Sequence, residues 1–468
     1  MMRTTIGLVG RRRRCHAGAT ALIVGVALVA GAGRAAAETA DATEAGSPPA
    51  AAAEPVTPMA EPFAFADFTW LTGNSRQRES ILKTKYLTGE VRADVNYVWD
   101  FNSPEDHTLI GSSELGRTNE FQVQQFGFGG DFLYKNVRAR LMTQFGMYAT
   151  MTPRNDASPA RGQWALDNAY RYMSEIYAGY HIDKLNGFNI DAGIFMSYVG
   201  LFSYYQFDNW AYQPSYVSSN MPWFFNGVRI QIFPNEHLKI EPWIINGWQS
   251  YGMFNEAPGV GLQVLWRPNG SLSALSNSYW GKDTLGNPDR RRLHSDNSLQ
   301  YKYLDRPAEF LSKAAFTVTI DAGCESGGGV VCTGGSDTGP AQYFLGYMVY
   351  NRFWFNKDRY AVTLGGGQIT NPGRYLVLVP PINGATAAPG DSYKAWDASG
   401  TFDFMPNDFV TFRWEFNHRV ADVPYFAGEG GVTPPGGNTG PAGSVVPGWE
   451  PDLVRSEDRI TPALLVKL

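Results

Sequence analysis

The stretch EVRADVNYVWDF constrains this chain more than any other, because its side chains divide by parity. Val91, Ala93, Val95, Tyr97, Trp99 and Phe101 fall on one face of an extended segment, and Glu90, Arg92, Asp94, Asn96 and Asp100 on the other. The division returns in NVRARLMTQFGMY, where Val137, Ala139, Leu141 and Phe145 oppose Arg138, Arg140 and Gln144. AYRYMSEIYAGYHI sets Tyr172, Ile176, Ala178 and Tyr180 against Arg171, Glu175 and His181. FVTFRWEFNHRV sets Val410, Phe412, Trp414 and Phe416 against Arg413, Glu415, Asn417 and Arg419. Strands of about ten residues with one aromatic-rich face and one face of mixed charge build either a soluble sandwich or a closed barrel in a membrane.

The links between strands separate these two. Strands are predicted at 87–101, 119–133, 137–150, 169–182, 188–199, 223–233, 237–248, 258–267, 271–281, 297–305, 311–321, 342–355, 359–369, 394–405, 409–419 and 459–468, sixteen in all. Links after even-numbered strands are short (YKN, DKLNG, PNE, PNG, RPAEF, NKD and PND) and carry the Asn, Asp, Gly and Pro of tight hairpins. Links after odd-numbered strands are mostly long: 102–118, 151–168, 200–222, 282–296, 322–341, 370–393 and 420–458. A sandwich has no reason to alternate in this way. An outer-membrane barrel does, with short periplasmic turns and long outward loops. Boundary shifts of about two to four residues leave fourteen or eighteen strands compatible with the pattern. RITPALLVKL alternates to the last residue, as a closing barrel strand does, although it ends on Leu468 where an aromatic is usual.

The ends agree with export. Arg3 and Arg11 to Arg14, an apolar run GATALIVGVALVAGAG and the tripeptide Ala35-Ala36-Ala37 have the layout of a secretory signal peptide over 1–37. The Arg run makes a poor twin-arginine signal, and Cys15 precedes the apolar run where a lipid-attachment cysteine would follow it. Cleavage after Ala37 removes six Arg and no acid, moving the formal net charge from −5 to −11, which argues against nucleic acid as a partner. Residues 38–61, rich in Ala, Pro and Glu, read as a flexible tether, and 62–86 as a periplasmic lead-in or short helix before a barrel over 87–468. Past the signal, no window approaches 18 consecutive apolar residues, so helical spans are excluded. Cys324 and Cys332, in CESGGGVVC, are expected to form a disulfide closing a small loop; a metal site would need more ligands, and no cofactor is implied.

In hydrocarbon a sheet must close, with apolar side chains toward lipid and charged ones toward a lumen that sixteen strands leave too wide for side chains to fill. Pore-lining candidates are therefore Arg92, Asp94, Arg138, Arg140, Arg171, Glu175, Arg229, Glu241, Arg413 and Glu415. Whether such charges select solutes or only solvate the lumen is open at this point. The five histidines left after cleavage, His107, His181, His237, His294 and His418, stand in no nucleophile setting, so an enzyme is not expected. His294 beside Arg290, Arg291 and Arg292 forms a basic cluster, read as a solvated loop pairing with lipopolysaccharide phosphates in preference to an anion-attracting mouth. GGG at 365–367 and the glycines of 426–448 belong to no phosphate-cradling motif, and strand glycines beside aromatics, such as Gly127, Gly129 and Gly130, are read as room for rings or a bend in the wall.

NIDAGIFMSYVGLFSYYQFDNW, then NMPWFFNGVRIQIFP and IEPWIINGWQSYG, resemble the OmpL-like β-barrel porin family of bacterial outer membranes. The shared features are a strand with D-x-G-x-F, an aromatic and Asn-rich excursion, and strands bearing N-G-V and N-G-W. The similarity runs from about residue 84 to the C-terminus. It implies a channel-forming barrel; the signal peptide adds export through the periplasm, and the outward face and loops add contact with outer-membrane lipid and lipopolysaccharide. It names neither a substrate nor catalytic residues. The expected function is passive or weakly selective diffusion of small hydrophilic solutes. The alternatives are a non-conducting barrel whose loops bind a surface partner, as in an adhesin or receptor, and a soluble secreted β-sandwich. Composition does not distinguish monomer from trimer.

One segment belongs to none of these patterns. LFSYYQFDNWAYQPSY, residues 201–216, carries seven aromatic rings and one charge with no clean period. Rings so dense invite aggregation if exposed. Either the loop folds inward, with Phe202, Tyr204, Tyr205, Asp208, Trp210 and Tyr212 lining a constriction, or it packs among neighbouring loops as a rim.

Overall fold

The computed structural model describes residues 62–468 apart from 74–76, 78–79, 113, 154–155, 157, 159–160, 203, 254, 285, 335–340, 374–391 and 438–444. The signal peptide and tether assigned to 1–61, and parts of the loops at 370–393 and 420–458, lie outside the described residues.

Sixteen long strands follow one another around a single antiparallel sheet: Leu87–Tyr97 (β1), Phe121–Tyr134 (β2), Val137–Thr143 (β3), Met173–Ile182 (β4), Phe188–Met196 (β5), Phe224–Asn235 (β6), Leu238–Ile245 (β7), Gly259–Asn269 (β8), Leu272–Gly281 (β9), Arg291–Asp305 (β10), Leu311–Ser326 (β11), Tyr343–Phe355 (β12), Tyr360–Thr370 (β13), Lys394–Phe404 (β14), Val410–Ala421 (β15) and Ser456–Lys467 (β16). β1 also pairs with β16, from Arg92↔Lys467 to Asn96↔Ala463, so the sheet closes and leaves no open edge. The backbones of Val91 and Leu468 complete the seam, each amide donating to the other's carbonyl at 3.1 and 2.9 Å.

The parity rule holds on the wall. Trp99, Phe128, Tyr180, Trp414 and Phe416 face outward and are exposed, and Phe121 reaches 81%. Such a belt is stable against lipid and not against water. The turns joining β2 to β3, β4 to β5 and β12 to β13 hold Lys135, Leu185 and Asn356 to Asp358 at positive φ, the twist a tight hairpin needs.

Three departures from the sequence reading have physical causes. β3 stops at Thr143, not at 150, because Gly146 turns the chain at φ 95° into a short helix, Tyr148–Met151 (α1). β4 begins at Met173 because Leu166–Tyr170 forms a second short helix (α2). β10 begins at Arg291, not 297, so the basic cluster lies in the wall instead of a loop: Arg292 pairs with Glu325 at 3.0 Å, His294 with Asp321 at 2.6 Å, and Leu293 faces outward.

The lead-in at 62–73 runs into the barrel. Phe63 N–H donates to Glu236 O at 3.1 Å and the Trp70 indole to Gly270 O at 3.0 Å, both acceptors in short turns. Thr69–Leu71 forms one 3-10 turn that buries Trp70 inside the sheet. Cys324 on β11 is bonded to Cys332 in the following loop, with Cα atoms 5.1 Å apart.

Candidate functional site

The segment between β5 and β6 turns inward. Gly200, at φ 101°, redirects the chain off the wall, and Phe207, Trp210, Ala211, Tyr212 and Val217 are completely buried within the barrel. The segment ends in a single helical turn, Tyr216–Ser219 (α3), that packs against β13. Of the two placements the sequence left open, this is the inward one.

Irregular backbone at membrane depth needs partners for its N–H and C=O groups, and here the charged face of the wall supplies them. The Arg413 guanidinium donates to Gln206 O at 3.3 Å, that of Arg352 to Trp210 O at 3.2 Å, and that of Arg419 to Pro214 O at 2.8 Å. Carboxylates take the amides: Glu415 accepts from Tyr212 N–H and, at 2.8 Å, from Gln213 N–H, while Asp397 accepts from Tyr216 N–H at 3.0 Å and the Ser215 hydroxyl at 2.7 Å. Asp403 sits between Arg352 and Arg413 at 2.8 and 2.6 Å, with all three side chains fully buried. Hydrogen bonds to a charged group contribute roughly 1.5–3 kcal/mol each, so this row holds the segment against the wall firmly.

The lead-in supports the segment from the other side. Gly73 N–H donates to Asp208 O at 2.8 Å, and Gly73 O accepts from Arg352 at 3.0 Å and Arg413 at 3.3 Å. The Trp210 indole donates to Trp70 O at 3.2 Å and its ring meets Trp354 edge-on. A Cβ at Gly73 would lie 1.7 Å from Asn209 O, which is why only glycine fits there. Gly365, in the GGG run, leaves its inner face to the Tyr350 ring by the same logic.

Most of the remaining candidates fall into several smaller clusters on the inner wall. Arg140 pairs with Glu90, Asp131 and Glu175 at 3.1, 2.7 and 2.9 Å. Arg92 pairs with Glu90 and lies over the rings of Tyr205 and Phe207. Asp94 accepts the Tyr212 hydroxyl at 2.7 Å. Arg138 and Arg229 share Asp191 at 3.2 and 3.0 Å, and Glu241 accepts from Gln231 and Lys239. The Tyr204 ring packs on Tyr148, and Asp208 pairs with Lys467 at 3.3 Å. Arg171 is the exception: it stands at the end of α2, bonded to Asn168 at 2.7 Å, and not on the wall. The parity pattern carries no sign of Trp70 or Gly73, which lie outside any strand. Arg352 and Asp403 were missed as candidates although both stand on predicted strands, where parity was the signal that could have found them.

Two cavities border the segment. One, of about 190 Å³, lies on the long-loop side between Glu114, Ser197, Ser218 and Trp223. The other, of about 340 Å³, lies between Asp208 and Lys467 on one side and Gln263, Arg267 and Gln300 on the other. Leu201 and Phe202 line both.

A family model described as "Putative beta-barrel porin-2, OmpL-like" matches residues 87–442. Among curated proteins none matches the sequence. Solved structures of similar shape include the outer membrane channel DcaP of Acinetobacter baumannii (TM-score 0.47, 10% identity, 82% of this chain and 99% of that one). Others are an anion-selective porin from Comamonas acidovorans (0.46, 11%, 82% and 99%) and OprB of Pseudomonas putida at high pH (0.47, 9%, 82% and 94%).

Proposed function

This chain belongs to the OmpL-like β-barrel porin-2 family and is a porin of the bacterial outer membrane; from that premise we propose that it passes small hydrophilic solutes through a lumen narrowed by residues 200–222. The observation that carries the narrowing is the row of wall side chains, Arg352, Arg413, Arg419, Glu415 and Asp397, bonded to the segment's own backbone. A loop held in this way acts as a fixed constriction that sets the size of what passes. Residues 1–37 serve export and are removed, the outer aromatic face meets lipid and lipopolysaccharide, and the chain acts as a channel without chemistry of its own.

Reconstituted in planar bilayers, the purified protein should conduct in discrete steps. A well-folded preparation that neither conducts nor swells liposomes would refute the channel. Deleting 203–215 should raise single-channel conductance several-fold; a lower folding yield with unchanged conductance would mean that the segment does not narrow the path.

A further inference from the structure

The larger cavity has a lopsided charge. It crosses the lumen from Arg267 on β8 and Gln300 on β10 to Lys467 on β16, strands on nearly opposite sides of a sixteen-strand ring. Lys467 is matched there by Asp208 at 3.3 Å and, more distantly, by Glu90 at 3.7 Å. Arg267 forms no ion pair with any carboxylate among the described residues. Its Nε reaches the Ser273 hydroxyl at 3.4 Å, and its guanidinium lies over the rings of Phe63 and Phe68, 5.0 and 4.6 Å from their centres. Rings are weaker partners than a carboxylate, and the planar fork keeps donors for a further acceptor. Of the other inward arginines of the site, Arg92, Arg140, Arg229, Arg352 and Arg413 each have an acid within ion-pair reach, and the guanidinium of Arg419 is taken up by the Asn417 amide oxygen and the carbonyls of Gly111 and Pro214.

We propose that Arg267, in the cavity beneath Phe202 and Leu201, is an oxyanion-binding residue that receives the carboxylate or phosphate group of a permeating solute. This rests on the channel reading. The guanidinium donates to two oxygens of one group side by side, as a planar fork does with carboxylates and phosphates. Gln300, on the adjoining wall, offers an amide to a third oxygen or to the solute body. Leu201 and Phe202, shared with the cavity on the long-loop side, form the apolar step that a solute crosses before it meets the charge. The result is a channel that favours small anions over cations of equal size.

The test uses the full exported chain in planar bilayers, with a potassium chloride gradient and inorganic phosphate or acetate as probe. The reversal potential should report chloride favoured over potassium, and each probe should reduce the chloride current saturably. Arg267→Gln should raise the half-blocking concentration by about tenfold or more, as expected for losing one charge-assisted pair, with Arg267→Lys in between. Block by phosphate alone or acetate alone identifies which group the site prefers. A cation-preferring wild type, or block unchanged in Arg267→Gln, overturns the proposal. If that variant does not assemble, the wild-type selectivity and titration still decide. A protein that never conducts refutes the porin reading, whereas one that conducts but ignores both anions refutes only this site.

Discussion

Asp403 holds two guanidinium groups, Arg352 and Arg413, and each of these in turn holds a carbonyl of the buried segment. Replacing it with Asn removes the charge that balances both, and breaking a buried pair from one side costs about 3–5 kcal/mol. Asp403→Asn should therefore lower the urea midpoint of the folded barrel, read as loss of the compact band on unheated gels. Asn at the exposed Asp422 should leave the midpoint unchanged; equal midpoints for the two variants would contradict the account. Asp106, in the loop after β1, behaves differently. Burial pushes its carboxyl up, but hydrogen bonds from the Thr433 hydroxyl, Val432 N–H and Thr108 N–H outweigh burial and hold it below the ordinary aspartate range. A lowered folded value gives stability that is present above the unfolded value near 4 and lost as pH falls through the lowered one. Exchange of the Val432 amide, relative to its intrinsic rate, should therefore accelerate below about pH 4, and Asp106→Asn should show the faster exchange already at neutral pH. At this scale the sequence showed that Arg413 and Glu415 face inward, since parity is a local property. It did not show what they bind.

At the scale of elements, β10 is instructive. RRRLHSD reads as a solvated basic loop if charge is counted, yet Arg292, His294 and Asp296 alternate with the outward Leu293, and their buried positions are met by Glu325, Asp321 and Asn277. The alternation was present in the sequence, and charge masked it. The lead-in is the converse case: nothing in DFTWLTG marks it as an internal element, because a single 3-10 turn has no period to read. Its Trp70 lies under Trp210 and meets the short turn at Gly270. Trp70→Ala keeps the backbone carbonyl that accepts the Trp210 indole but removes the ring and its bond to Gly270, a change that costs about 3–5 kcal/mol for a core tryptophan. It should leave the sheet closed while increasing current noise and mean conductance. Conductance traces identical to wild type would show that the lead-in does not support the constriction.

Across the whole molecule, local and distant information divide sharply. Period-two alternation and the lengths of the links depend only on neighbouring residues, and they pointed to about sixteen strands, a closed sheet, its lipid-facing side and the membrane it suits. The contents of the lumen do not follow from them. Gly73 and Arg413, which meet through a backbone carbonyl, are 340 residues apart, and Trp70 and Trp210 are 140 apart. The loop at 201–216 had two placements equally compatible with its rings, and the inward one prevails because Arg352, Arg413, Arg419, Glu415 and Asp397 converge on its carbonyls and amides. Those five come from β12, β14 and β15, close neighbours in the sheet, and closure of the barrel sets their inward face opposite the segment that leaves β5. The sequence by itself thus determined the wall, whose logic is repeated residue by residue. The tertiary structure alone decided the constriction, because a backbone without regular hydrogen bonds takes its shape from the partners it finds across the lumen.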